Sequence, residues 1–109
     1  MANAYKILGQ VGDASANDVA LYTCPASTET IISSIVVANR ESAANTFRIA
    51  AKANGGSVAN EDYLAYDTSI AANDTVTLTL GITVDASDII SVGASDANVS
   101  FSAFGTEIT

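Results

Sequence analysis

The chain has 109 residues, of which 49% are apolar and 6% aromatic, and it has no tryptophan, so Val, Ile, Leu and Ala must supply a core of closely packed sheets. Twelve acidic side chains face four basic ones, for a net charge of −8. That balance argues against direct contact with nucleic acid or an anionic membrane, both of which attract Lys and Arg, and leaves solubility as the plain reason for the charge.

The length is that of one domain over residues 1–109. Cys24 is the sole cysteine, so no disulfide forms within the chain. Residues 1–6 lack the basic-then-apolar order of a secretory leader. The longest apolar run, 31–38, is interrupted by Ser33 and Ser34 and falls far short of the ~20 residues of a membrane helix. Synthesis in a cytoplasm and folding without oxidation are expected.

In chain order, strands are expected at 5–8, at 18–23 where Cys24-Pro25 ends the ladder, and at 29–38, which is apolar on both faces as in a central strand. Further strands are expected at 46–52, where Phe47, Ile49 and Ala51 alternate, and at 63–67. The clearest period-two signal runs over 75–84: Val76, Leu78, Leu80, Ile82 and Val84 alternate with Thr75, Thr77, Thr79, Gly81 and Thr83, which makes a half-buried strand with the aliphatic set inward. Gly81 marks a bend or bulge. Residues 88–94 and 98–104 complete about eight strands. Ala-Asn occurs eight times, beginning at residues 2, 16, 38, 44, 53, 59, 72 and 97, mostly at strand ends. Asn tolerates left-handed backbone, so the dipeptide punctuates the strands. No window holds three-four apolar spacing long enough for a helix.

Catalytic signals are missing. Histidine is absent, which removes the commonest general base and transition-metal ligand. Cys24 has no histidine to activate it and reads as a small buried hydrophobe. Glu61 and Asp62 are adjacent and diverge in an extended chain. Asp85 and Asp88 bracket a short turn and are the candidates for a calcium site, against the simpler role of opening that turn; no metal or other cofactor is expected. Gly55-Gly56 is followed by neither lysine nor a helix pattern, so it is no phosphate loop. Arg40 and Arg48 suit ion pairs with acids. Tyr63 and Tyr66, three apart, should face opposite sides of an extended strand, one in the core and one exposed; a buried tyrosine with a bonded hydroxyl is the simpler role, against a place at a contact surface, where tyrosine is enriched.

The stretches LYTCPASTE at 21–29, VVANR at 36–40, FRIA at 47–50, YLAYD at 63–67 and NVSFSAFG at 98–105 resemble small virion structural proteins of tailed bacteriophages, especially those of cyanobacterial and marine phages. The resemblance implies a place in the particle without saying which, and it brings no functional residues with it. Within the particle, capsid decoration (cement) protein is the first expectation and neck, collar or tail-associated protein the second; the acidic charge suits the particle exterior, and synthesis in the host cytoplasm is expected. Partners would be major capsid, neck or tail proteins, with neither nucleic acid nor membrane among them. A carbohydrate- or receptor-binding β-module is the alternative, though a chain without Trp offers few stacking rings.

The expected fold is an antiparallel β-sandwich, jelly-roll-like or immunoglobulin-like. Phe101 and Ala103 share one face of the last strand and Phe104 the other, with Ile108 following. Either a bulge at Gly105 turns Phe104 back into the core, or Phe104 and Ile108 form a sticky edge with Tyr63 or Tyr66. The second option implies a homo-oligomer, with a trimer the expected form, or binding to a larger particle.

Overall fold

The computed structural model describes residues 2–79 and 81–109. Its strands are β1 (Asn3–Val11), β2 (Val19–Thr23), β3 (Glu29–Asn39), β4 (Asn45–Lys52), β5 (Tyr63–Ile70), β6 (Thr75–Leu78), β7 (Ile82–Val84), β8 (Ile89–Ala94) and β9 (Val99–Ile108). Two short 3-10 turns, Ala53–Gly55 and Asn60–Asp62, lie between β4 and β5.

The strands form two antiparallel sheets. One runs β1-β9-β3, with β6 and β7 both on the far side of β3; the other runs β2-β8-β4-β5. Because β6 opposes residues 35–38 and β7 opposes residues 30–32 of the same strand, they act as one interrupted strand. Counted so, the first strand pairs with the last, β2 with β8, β3 with β6 and β7, and β4 with β5. The chain is therefore a long two-stranded ribbon with its tip at 53–62. It is rolled so that β9 also pairs β3 and β8 also pairs β4. That is the jelly-roll arrangement, and it decides between the two sandwich topologies left open by the sequence.

The strand expected over 75–84 is split. Gly81 adopts a left-handed φ of 63°, which takes the chain out of the pleat between β6 and β7. Val76, Leu78 and Ile82 pack half-buried against the core as expected, while Leu80 lies outside the described residues. The Ala-Asn punctuation has the expected physical basis: Asn17, Asn54 and Asn73 have positive φ. Asn39 works differently. Its buried side-chain amide donates to the carbonyls of Ala43 (2.9 Å) and Ala71 (3.1 Å), tying two loops together.

Between the sheets lie Ile32, Ile35, Val37, Phe101 and Ala103 from one side and Phe47, Ile49, Ile90 and Val92 from the other, all buried. Phe47 and Phe101 meet edge to face at 6.3 Å across the middle, a geometry the ring quadrupoles favour. Cys24 is buried, with Sγ 3.3 Å from the Thr28 carbonyl oxygen.

Extra residues are accommodated beside β9. The register of β1 slips between Ile7 and Gly9, and that of β3 between Ile32 and Ser34. These bulges at Leu8 and Ser33 flank the straight run of β9. Phe104 accordingly keeps its outward parity opposite Ile7 and Ser34 and is not returned to the core. Gly105, next to it, packs so tightly on β3 that a Cβ there would run into the Ile31 carbonyl oxygen.

Candidate assembly surfaces

Each sheet turns one face to the core and one to solvent, and the two solvent faces differ chemically. On β9, Val99, Phe101 and Ala103 are buried, so Ser100, Ser102, Phe104, Thr106 and Ile108 alternate outward. The same parity and register bring Tyr5 and Ile7 of β1, and Ile31 of β3, to that face. Tyr5 is 81% exposed, Ile7 55% and Ile31 43%; Phe104 and Ile108 are half-buried among them. Around this patch stand Ser33, Val36, Thr75, Thr77 and Thr83. Glu29, at the start of β3, is the one charged side chain in this outward set among the described residues. The other acid on these strands is turned away: Glu107 reaches the sandwich edge, where it pairs with Lys6 at 2.8 Å and accepts a hydrogen bond from Tyr22 Oη at 2.6 Å. The Lys6 ammonium first, and then the Tyr22 hydroxyl, hold the Glu107 carboxyl below its ordinary value. Burial, with the Glu107 carboxylate adding to it, pushes the Tyr22 phenol up.

The outer side of the second sheet is charged and aromatic. Arg48 on β4 makes a forked pair with Asp67 on β5, Nε to Oδ1 at 2.7 Å and Nη2 to Oδ2 at 3.2 Å. Its guanidinium lies 4.2 Å from the centre of the Tyr66 ring. Arg48 holds the Asp67 carboxyl below its usual range. Beside this cluster Lys52, buried along its stem, bonds Asp18 at 2.9 Å.

Tyr63 and Tyr66 do not face opposite sides as their spacing implied. Their rings meet at 4.8 Å, nearly perpendicular. The cause is β5 itself, whose register against β4 slips twice, opposite Phe47/Ile49 and opposite Ile49/Ala50, so the parity count fails between them. Both lie away from the core, Tyr66 57% exposed. The four residues expected at a contact surface are therefore divided: Phe104 and Ile108 on the first sheet, Tyr63 and Tyr66 on the second. Tyr5, Ile7 and Ile31, not singled out in the sequence, join Phe104 and Ile108. Period two placed them on strands, but it does not say which of two apolar faces points out.

Asp85 and Asp88 serve their turn. Asp88 accepts from the Asp85 amide at 2.9 Å and the Asn54 amide at 3.0 Å, while Asp85 Oδ1 accepts from Ala86 N at 2.8 Å. Among the described residues no three His, Cys, Asp or Glu side chains gather as a metal site would require.

No family model matches the sequence, and no curated protein matches it. Solved structures do match in shape. A chain of the infectious bursal disease virus Gx strain structure superposes with a TM-score of 0.53 at 14% identity, over 97% of this chain and 32% of that one. A pentameric capsid protein from metagenomic phage sequences aligns at 13% identity with a TM-score of 0.39, over 95% of this chain and 63% of that one. The chain thus spans about a third of the virus chain to which it is similar (32%), and at this identity the likeness is one of fold.

Proposed function

We propose that this chain is a non-enzymatic structural subunit of a virus particle, one that works by packing its first sheet against neighbouring protein. The observation that carries this is the outer face of that sheet: Tyr5, Ile7, Ile31, Phe104 and Ile108 lie together amid hydroxyl side chains, on a chain whose net charge is −8. Contiguous apolar surface without charge marks protein contact. The fold shared with a chain of a virus particle supports the same conclusion.

Within the particle, and in line with the sequence resemblance to tailed-phage proteins, we place it on the exterior as a capsid decoration protein, ahead of a neck or tail-associated one. Major capsid, neck or tail proteins are then its partners, alongside copies of itself. An acidic chain suits the outside better than a DNA-lined interior. The carbohydrate-binding alternative would use Tyr63 and Tyr66, but Arg48 already covers the Tyr66 ring, which removes a stacking face. Fractionation of particles bearing wild-type chain or Phe104→Asp tests the proposal. Wild type should sediment with the particle and the variant should stay in the soluble fraction. A wild-type chain that never accompanies the particle would end it.

A further inference from the structure

Among the described residues the sandwich has four free sheet edges, and exposed edges are templates for another strand. Three of them are blunted. β2 has five residues and a register slip between Ala20 and Tyr22; β5 slips twice; β6 and β7 have four and three residues and a break between them. β1 differs. From Asn3 to Ile7 it keeps unbroken register with β9; among the described residues its other side pairs with no strand, and it carries Ile7 and Tyr5, the most exposed large apolar side chain of that set.

We propose that residues 3–7 of β1 pair antiparallel with the same residues of a second copy, about a two-fold axis at Tyr5. The proposal rests on the assembly function above and names one of its contacts. The charges fix both occupant and register. Lys6 is the one charged residue in this segment, so a second copy meets no acid-on-acid approach there, although the copies repel overall. Centring the pair on Tyr5 sets Lys6 opposite Ala4 of the second copy and opposes the two tyrosine rings, a favourable cross-strand pair. Centring it on Lys6 would oppose two ammonium groups. Beyond Ala4 of the second copy lies that copy's Glu107, because Ala4 and Glu107 are paired within each copy. Each Lys6, already paired with Glu107 of its own copy at 2.8 Å, therefore also has the other copy's carboxylate one small residue further on, with strands spaced ~5 Å apart. The two first sheets become one continuous sheet, and the apolar outer patch crosses the axis. This gives a two-fold relation where the sequence suggested a trimer.

Sedimentation of wild type, Ala4→Lys and Ala4→Glu, with oxidative cross-linking of Tyr5→Cys and Ile31→Cys, tests this. In Ala4→Lys the new ammonium lies beside Glu107 of its own copy, so the variant should fold, yet it opposes Lys6 of the other copy twice. Its self-association should weaken about tenfold, and that of Ala4→Glu should tighten by a similar factor. Tyr5→Cys should form a reducible dimer and Ile31→Cys should not; Cys24 is buried and does not compete. Ala4 variants that associate like wild type, or Ile31→Cys dimers as abundant as those of Tyr5→Cys, would overturn the β1 pairing and leave assembly through another surface standing. A wild type monomeric at every concentration overturns the pairing as well, and particle fractionation then judges the virion role separately.

Discussion

The two outer faces of this sandwich come from the same kind of strand and carry opposite chemistry. On the second sheet the outward positions hold Arg48, Asp67, Tyr63 and Tyr66, whose charges and rings satisfy one another. On the first they hold Tyr5, Ile7, Ile31, Phe104 and Ile108 with hydroxyl neighbours and scarcely a charge. Most acids, among them Asp13, Glu41, Asp74, Asp85 and Asp96, sit in the connections between strands. A strongly acidic chain can therefore keep a neutral sheet face, and net charge says little about any one surface.

Both outer faces rest on one core. Phe101→Ala empties the centre between the sheets and should cost about 3–5 kcal/mol in denaturant unfolding; a loss below about 1 kcal/mol would mean that the Phe47–Phe101 contact is not central. Phe104→Asp comes next. Its fold should survive with a loss of about 1–2 kcal/mol, within the ordinary range for a partly exposed position, while co-sedimentation with the particle is lost; Tyr66→Asp on the other face should leave that co-sedimentation intact. If Phe104→Asp fails to fold, Phe104 belongs to the core and the first face is not a contact surface.

A pH titration sharpens the contrast at the sandwich edge. The Glu107 carboxyl is depressed when folded, so its contribution is complete above the unfolded value of 4.5 and is lost as pH falls through the lower folded value. Melting temperature should decline in that acid range, and Glu107→Gln should flatten part of the decline. An unchanged profile would show that the Lys6–Glu107–Tyr22 contact adds little. The smallest effect belongs to the charged face: Arg48→Ala should barely move the melting temperature, because the pair is open to solvent. A drop as large as that of Phe104→Asp would make that cluster structural.

Strand positions were legible because alternation such as that of Val76, Leu78 and Ile82 records burial directly. The order of strands was not, since pairing β1 with β9 leaves no local trace; the structure had to choose jelly roll over immunoglobulin topology. The candidate surface was half legible. Phe104 and Ile108 stood out by parity on β9. Tyr5, Ile7 and Ile31 did not, because an alternating apolar set looks the same facing core or solvent. Tyr63 and Tyr66 came together through slips in β5, and a one-residue slip depends on the partner strand β4 rather than on β5 alone.

β9 is the ninth strand in sequence but sits in the interior of its sheet, between β1 and β3. During translation β1 thus has no strand to pair with, and β3 lacks one flank, until residues 99–108 have left the ribosome. At ~5–20 residues per second β3 waits several seconds with one hydrogen-bonding flank open. Nascent chains stalled before residue 99 should be protease-sensitive throughout, and release of the last strand should confer protection on the whole sheet at once.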